Sequence, residues 1–127
     1  MSDLKFVEAT KLVRDDFPIR DYRRVFKLYD DKDNTLGLAT INCDEDNMVY
    51  IYVDENQRNK GYGKKLFGLV LNELLREKRI DAKVKFETSN IKMLRIVHEY
   101  NGVHLATENK ENLYVIPILK GGFHGTL

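Results

Sequence analysis

With one cysteine, Cys43, among 127 residues, the sequence has no partner for an intrachain disulfide. Its three histidines, His98, His104 and His124, do not stand at metal-ligand spacing with that cysteine. Neither a disulfide nor a structural metal is expected. Charge of one sign is also missing: 21 Lys and Arg face 20 Asp and Glu, for a net charge of +1. No overall basic field therefore draws in nucleic acid or an anionic membrane surface. No stretch reaches the roughly 18 apolar residues of a membrane span, and Met1 to Glu8 lacks the uninterrupted apolar segment of a signal peptide. These absences together predict a cytoplasmic protein with no metal, no nucleic-acid partner and no membrane partner. No repeat, linker or compositional break appears either, so 127 residues with 43% hydrophobic content suit one domain with one core.

What is present falls into an order of elements. Leu4, Val7, Leu12 and Val13 stand near helical spacing and predict a helix over residues 3 to 15, although Leu4-Lys5-Phe6 is also compatible with a strand. Val25 to Tyr29 and Leu36 to Cys43 are rich in strand formers and flank the polar turn Asp30 to Asn34, which predicts a hairpin. After the acidic turn Asp44 to Asn47, the run Met48 to Val53 is apolar or aromatic at every position, as in a central strand covered on both faces. Leu66, Phe67, Val70, Leu71, Leu74 and Leu75 form two interleaved i, i+4 series on one face of a helix, which closes in the cationic stretch Arg76 to Arg79. A strand around Ala82 to Glu87 follows, then a helix from Ile91 to Tyr100 capped by Ser89 and stopped by Gly102. Two strands end the pattern, Val103 to Thr107 and Leu113 to Leu119, and Pro117 suggests that the latter lies at a sheet edge. Residues 120–127 read as a flexible tail. This order predicts a mixed α/β (α+β) fold, with a mostly antiparallel sheet flanked by helices.

Between the central strand and the amphipathic helix lies Arg58-Asn59-Lys60-Gly61-Tyr62-Gly63-Lys64. Closely spaced glycines let backbone N–H groups converge on one point, and the helix that begins there adds the positive end of its dipole. Arg58, Lys60 and Lys64 add full charges, so the loop suits a pyrophosphate. Glycines that merely serve a strand-to-helix turn are the plainer explanation of the same pattern. The loop lacks the Gly-Lys-Ser or Gly-Lys-Thr of a P-loop and the third glycine of a dinucleotide fingerprint.

Arg58-x-x-Gly61-x-Gly63 resembles the Gln/Arg-x-x-Gly-x-Gly/Ala signature of the GNAT superfamily of N-acetyltransferases, placed as there between the fourth strand and the third helix. Thr88-Ser89-Asn90, with a helix closing in Asn101-Gly102-Val103, is similar to that family's strand-five exit, fourth helix and Gly-Phe ending. The resemblance spans about residues 20 to 119 and implies a GNAT-like sheet whose fourth and fifth strands splay apart around acetyl-CoA. It implies that Ile51, Tyr52 and Val53 pair with the pantetheine arm, and that Arg58, Asn59, Lys60, Gly61, Tyr62, Gly63 and Lys64 hold the pyrophosphate. Asn90 would complete the cofactor site, and a backbone N–H near Ile51 or Tyr52 would polarise the thioester carbonyl.

For the chemistry, Glu87 ranks first as a base for the acceptor amine, ahead of Tyr50 and Tyr52. The family's tyrosine acid has no clear counterpart. Counting from Asn90 reaches Val97, and counting back from Gly102 reaches His98, which leaves His98 and Tyr100 as candidates. Cys43 has no recognisable basic partner, so direct transfer in a ternary complex is expected rather than an acyl-cysteine. The acceptor is expected to be a small-molecule amine or a protein or peptide amine. The acidic turns Asp30 to Asp33 and Asp44 to Asp46 read either as recruiters of a cationic amine or as solvated surface. An edge strand at Leu113 to Leu119 would be a surface on which a homodimer could form. The competing expectation is an inactive GNAT-like module that binds acyl-CoA as a sensor.

Overall fold

The structure is a computed structural model that describes residues 4–9, 23–42 and 47–118. Strands β1 (Lys5–Glu8), β2 (Arg23–Tyr29), β3 (Thr35–Asn42) and β4 (Met48–Val53) pair antiparallel in sequence order. Helix α1 (Tyr62–Arg76) then leads to β5 (Asp81–Glu87), and helix α2 (Ile91–Glu99) leads to β6 (Val103–Glu108) and β7 (Glu111–Pro117). The seven strands form one mixed sheet in the order β1-β2-β3-β4-β5-β7-β6, in which β4 and β5 alone run parallel as neighbours.

α1 turns Leu66, Phe67, Val70, Leu71 and Leu74 inward, all at 0% exposure, against β3, β4 and β5. Each such side chain contributes about 1.5–3 kcal/mol by leaving water. The helix ends with Lys78 in the left-handed region at φ 61°. Arg79 N–H donates to Leu74 O at 3.0 Å and Lys78 N–H to Leu75 O at 2.9 Å, a Schellman closure. The ring of Phe67 meets that of Tyr100, just past α2, edge to face at 5.4 Å, so both helices cover the same side of the sheet.

Several expectations are corrected. Lys5–Glu8 is a strand, because Phe6 stacks on Phe26 at 5.0 Å and the segment pairs with β2; residues 10–22 lie outside the described residues. Met48–Val53 is covered on both faces only at its start: Met48 and Val49 are buried, whereas Tyr50 and Tyr52, on the same face as Met48, are 39% and 53% exposed. β7 is an interior strand between β5 and β6, and Pro117 sits at its last position, beyond the reach of the β6 ladder. Among the described residues the edge strand on that side is β6, which moves the expected pairing surface for a homodimer off residues 113–119. α2 is capped by Asn90 rather than Ser89, the Asn90 Oδ1 accepting from Met93 N–H at 3.0 Å. Two acids of the β2–β3 turn are engaged locally: Asp30 accepts from the N–H groups of Lys32 and Asn34 at 2.9 Å, and Asp33 pairs with Lys5 at 2.8 Å. The expected tail 120–127, Cys43 and the turn acids Asp44 to Asp46 lie outside the described residues.

Gly102 closes α2 where the sheet approaches most tightly. A Cβ there would stand 2.8 Å from both Val97 O and Ile116 Cδ1. Gly102→Ala is therefore expected to destabilise the fold by about 1–3 kcal/mol, read as a lower midpoint of thermal or urea unfolding.

Candidate functional site

β4 and β5 are in register at only two places, Met48 with Lys83 and Val49 with Val84. Beyond Val49, β4 stays paired with β3 out to Val53, and β5 stays paired with β7 out to Glu87. The strands thus separate from each other while each keeps its outer neighbour. The register also decides which backbone groups face the gap. Asp54 N–H donates to Leu36 O at 2.9 Å, and bonding to the neighbour alternates along an antiparallel pair. Tyr52 and Tyr50 therefore spend their N–H and C=O groups on β3, while Ile51 and Val53 turn theirs toward β5. This narrows the expectation for a backbone donor near Ile51 or Tyr52 to Ile51.

A cleft of about 620 Å³ opens at this splay. Ile51, Tyr52 and Val53 line it from β4, and Arg58, Asn59 and Gly61 from the loop. Tyr62, Gly63 and Lys64 line it from the start of α1, Glu87 from the end of β5 and Asn90 from the cap of α2. Gly61 holds φ 82°, a conformation a β-carbon strains, and no side chain caps α1. The first bond of α1 runs from Lys65 N–H to Gly61 O at 3.1 Å, so the N–H groups of Tyr62, Gly63 and Lys64 precede the helical ladder. A Cβ on Gly63 would lie 3.5 Å from Val53 Cγ2 and 3.6 Å from Ile96 Cδ1, which makes this residue the narrow point between loop, strand and α2.

The cations of the cleft are held in place by neighbours. Arg58 Nε donates to Val53 O at 3.1 Å, and its guanidinium lies 5.5 Å from the centre of the Tyr52 ring. Lys64 pairs with Glu99 at 2.7 Å, and the hydrogen bond and charge of that carboxylate hold its ammonium above the ordinary lysine range. Lys60 departs from expectation: its Nζ donates to Gln57 Oε1 at 3.1 Å, and it does not line the cleft.

The acid candidates separate. His98 is exposed and its ring lies 5.9 Å from that of Tyr114, away from the cleft wall. Tyr100 is buried at 4% exposure, and burial raises its phenol above the ordinary range, with Lys64 pulling it partly back. Neither lines the cleft, but Tyr100 stands within electrostatic reach of Lys64, which does. Glu87 is the only carboxylate among the described residues of the wall.

α2 adds residues that the sequence reading passed over: Lys92, Met93, Arg95 and Ile96 all line the cleft. Lys92 Nζ donates to Asn59 Oδ1 and so ties α2 to the loop. The signal was present in their spacing, since residues three and four apart share a helix face. Among the described residues no group of His, Cys, Asp and Glu could hold a metal ion, and no helix is long and apolar enough to cross a membrane.

Comparison with known proteins agrees with this fold. Residues 2–102 match the model of the acetyltransferase (GNAT) family. No curated protein matches the sequence. Among solved structures, a domain from Methanocaldococcus jannaschii DSM 2661 superposes with a TM-score of 0.76 at 12% identity, covering 92% of this chain and 99% of that one. A dodecameric spermidine N-acetyltransferase from Vibrio cholerae gives 0.69 at 14% identity, with 97% of each chain covered. The spermidine N-acetyltransferase of Vibrio cholerae in complex with CoA and spermine gives 0.67 at 16% identity, covering 89% of this chain and 74% of that one. These structures share the fold.

Proposed function

Because the chain belongs to the GNAT family of acetyltransferases, we propose that it moves an acetyl group from acetyl-CoA to a primary amine by direct attack, with both substrates held in the splay between β4 and β5. The observation that carries this reading is the unpaired β4 edge. Ile51 and Val53 face a cleft that ends at the uncapped start of α1.

The residues present fit the donor. The amides of Tyr62, Gly63 and Lys64 suit the pyrophosphate, with Arg58, Lys92 and Arg95 as counter-charges. The N–H and C=O groups of Ile51 and the N–H of Val53 suit the amides of the pantetheine arm, the Val53 carbonyl already accepting from Arg58. Asn90 has committed its Oδ1 to Met93, which leaves its amide nitrogen as a donor toward the cleft.

When bound, acetyl-CoA supplies an activated acetyl thioester. Ile51 N–H donates to the carbonyl oxygen of that thioester, and a donor already fixed by the β3 ladder needs no reorganisation as charge grows there. A lysine-like amine of pKa about 10.4 is neutral in only on the order of one molecule in a thousand at pH 7. Glu87, at the mouth of the splay, takes the proton the amine must lose, directly or through water. The amine nitrogen bonds to the carbonyl carbon, the carbon–sulfur bond breaks, and the sulfur departs as a thiolate. Burial raises the Tyr100 phenol above its ordinary range, and Tyr100 interacts electrostatically with Lys64 of the cleft wall. A thiol of pKa about 8.5 leaves tolerably without help. Tyr100→Phe is accordingly expected to lower kcat more than His98→Ala does, measured as initial rates of coenzyme thiol release at neutral pH.

Thermal unfolding with and without acetyl-CoA, followed by release of the coenzyme thiol in the presence of amines, tests the whole reading. Ligand at about 100 times its dissociation constant adds about 2.7 kcal/mol. No stabilisation would sink the acetyl-CoA assignment. Stabilisation without thiol release from any amine would favour a second reading, an acyl-CoA-binding module without turnover. That reading draws on the position of His98 and Tyr100, neither of which lines the cleft.

A further inference from the structure

Resting on the acetyl-transfer reading, we infer that Glu99 is a positioning residue for the donor. In the free protein its carboxylate takes the place of a coenzyme phosphate beside Lys64. It yields that cation when the coenzyme binds, and so keeps coenzyme affinity below what the loop alone would give.

Both charges stand at the end of a helix that disfavours them. Lys64 is in the first turn of α1, whose unsatisfied N–H groups carry partial positive charge, and Glu99 is the last residue of α2, whose free carbonyls carry partial negative charge. They meet at 2.7 Å. A glutamate at 64 and a lysine at 99 would join the same two helices and suit both dipoles, so a bridge that only joined α1 to α2 would favour the reverse order. A cation at the start of α1 is explained by an anion that arrives there from outside. Lys64 lines the cleft beside Tyr62 and Gly63, whose amides precede the helical ladder.

The path of α2 brings Glu99 to that place. Ile96, almost one turn earlier, reaches within 3.6 Å of where a Cβ on Gly63 would stand. Further back, Lys92 Nζ donates to Asn59 Oδ1 in the loop. Residues 92, 95 and 99 are three and four apart and share one side of α2. That side carries two bridges, one to the loop and one to the start of α1, with Arg95 of the cleft wall between them. Glu99 is the acid of this side. A phosphate seated at the start of α1 competes with it for Lys64 and is repelled by it. The Lys64 and Glu99 side chains are 52% and 49% exposed, so water can replace the partner that Glu99 loses and the exchange is reversible.

The test measures the dissociation constant of CoA for the full chain by isothermal titration calorimetry. Glu99→Gln is expected to bind CoA about two- to fivefold more tightly than wild type at low ionic strength, the range open to one exposed ion pair. The gain should shrink in roughly 0.5 M salt, where such charges are screened. Glu99→Asp keeps the charge and should stay closer to wild type than Glu99→Gln does. Lys64→Met should weaken binding, and adding Glu99→Gln to it should recover little of that loss, because the carboxylate then has no cation to withhold. Unfolding midpoints without ligand check that each variant is folded. CoA binding that is unchanged or weakened in Glu99→Gln overturns the inference, weakening meaning that Glu99 presents Lys64 to the coenzyme. An undiminished gain in the Lys64→Met background also overturns it, since Glu99 would then act by simple repulsion of the phosphates. Both outcomes leave the donor assignment standing. A wild type that binds no CoA overturns the donor assignment together with this inference.

Discussion

Glu87→Gln is expected to lower kcat at neutral pH by about 10²- to 10⁴-fold, the usual contribution of a positioned general base. Glutamine keeps the size and polarity of the side chain at the end of β5 but cannot accept the amine's proton. The loss should therefore fall on turnover, while stabilisation by acetyl-CoA persists. The gap should narrow as pH rises, because below the amine's pKa of about 10.4 each unit of rise in pH multiplies its neutral fraction about tenfold. A variant that keeps wild-type kcat across this range would remove Glu87 from the chemistry and leave deprotonation to solvent.

The second large effect is expected at the loop. Gly61→Val combined with Gly63→Val should abolish the roughly 2.7 kcal/mol of stabilisation that saturating acetyl-CoA gives to the wild type. The two substitutions act differently. At Gly61, φ 82° is strained for any β-branched residue, so the turn that aims the first amides of α1 must shift. At Gly63, a Cβ would meet Val53 and Ile96 at ordinary contact distance, and the two methyl groups of valine extend beyond it into the cleft. Far-ultraviolet circular dichroism and a cooperative unfolding transition without ligand separate loss of binding from loss of fold. A double variant still stabilised by acetyl-CoA would move the pyrophosphate away from this loop.

How much of this was legible in the sequence depends on where the deciding partner lies. α1 was readable because its buried positions recur at helical spacing within the segment itself, and the loop because Gly61 and Gly63 stand beside Arg58 and Lys64. β1 was misread because four residues carry no usable period; what makes Lys5–Glu8 a strand is pairing with β2, distant in sequence. The uninterrupted apolar character of Met48–Val53 concealed that Tyr50 and Tyr52 are exposed. Pro117 was read as an edge residue, yet a proline at the end of a strand is tolerated in an interior position once its neighbour's ladder has stopped. Within the site, the β4 residues and most of the loop came from the motif. Lys92 and Arg95 were missed because only the packing of α2 against the loop shows which side of that helix meets the cleft. The motif was equally silent on His98 versus Tyr100, which burial and the direction of each side chain distinguish.

The two-pair junction between β4 and β5 leaves a mark on the backbone that can be followed one residue at a time. Tyr50 and Tyr52 have their amide hydrogens locked into the β3 ladder, whereas those of Ile51 and Val53 point into the gap. In deuterated water the free protein should exchange alternate amides along this strand, slow at 50 and 52 and fast at 51 and 53. Acetyl-CoA would act there as a missing strand, and the alternation should vanish when it binds. A short stretch of main chain would then report on occupancy of the site without turnover.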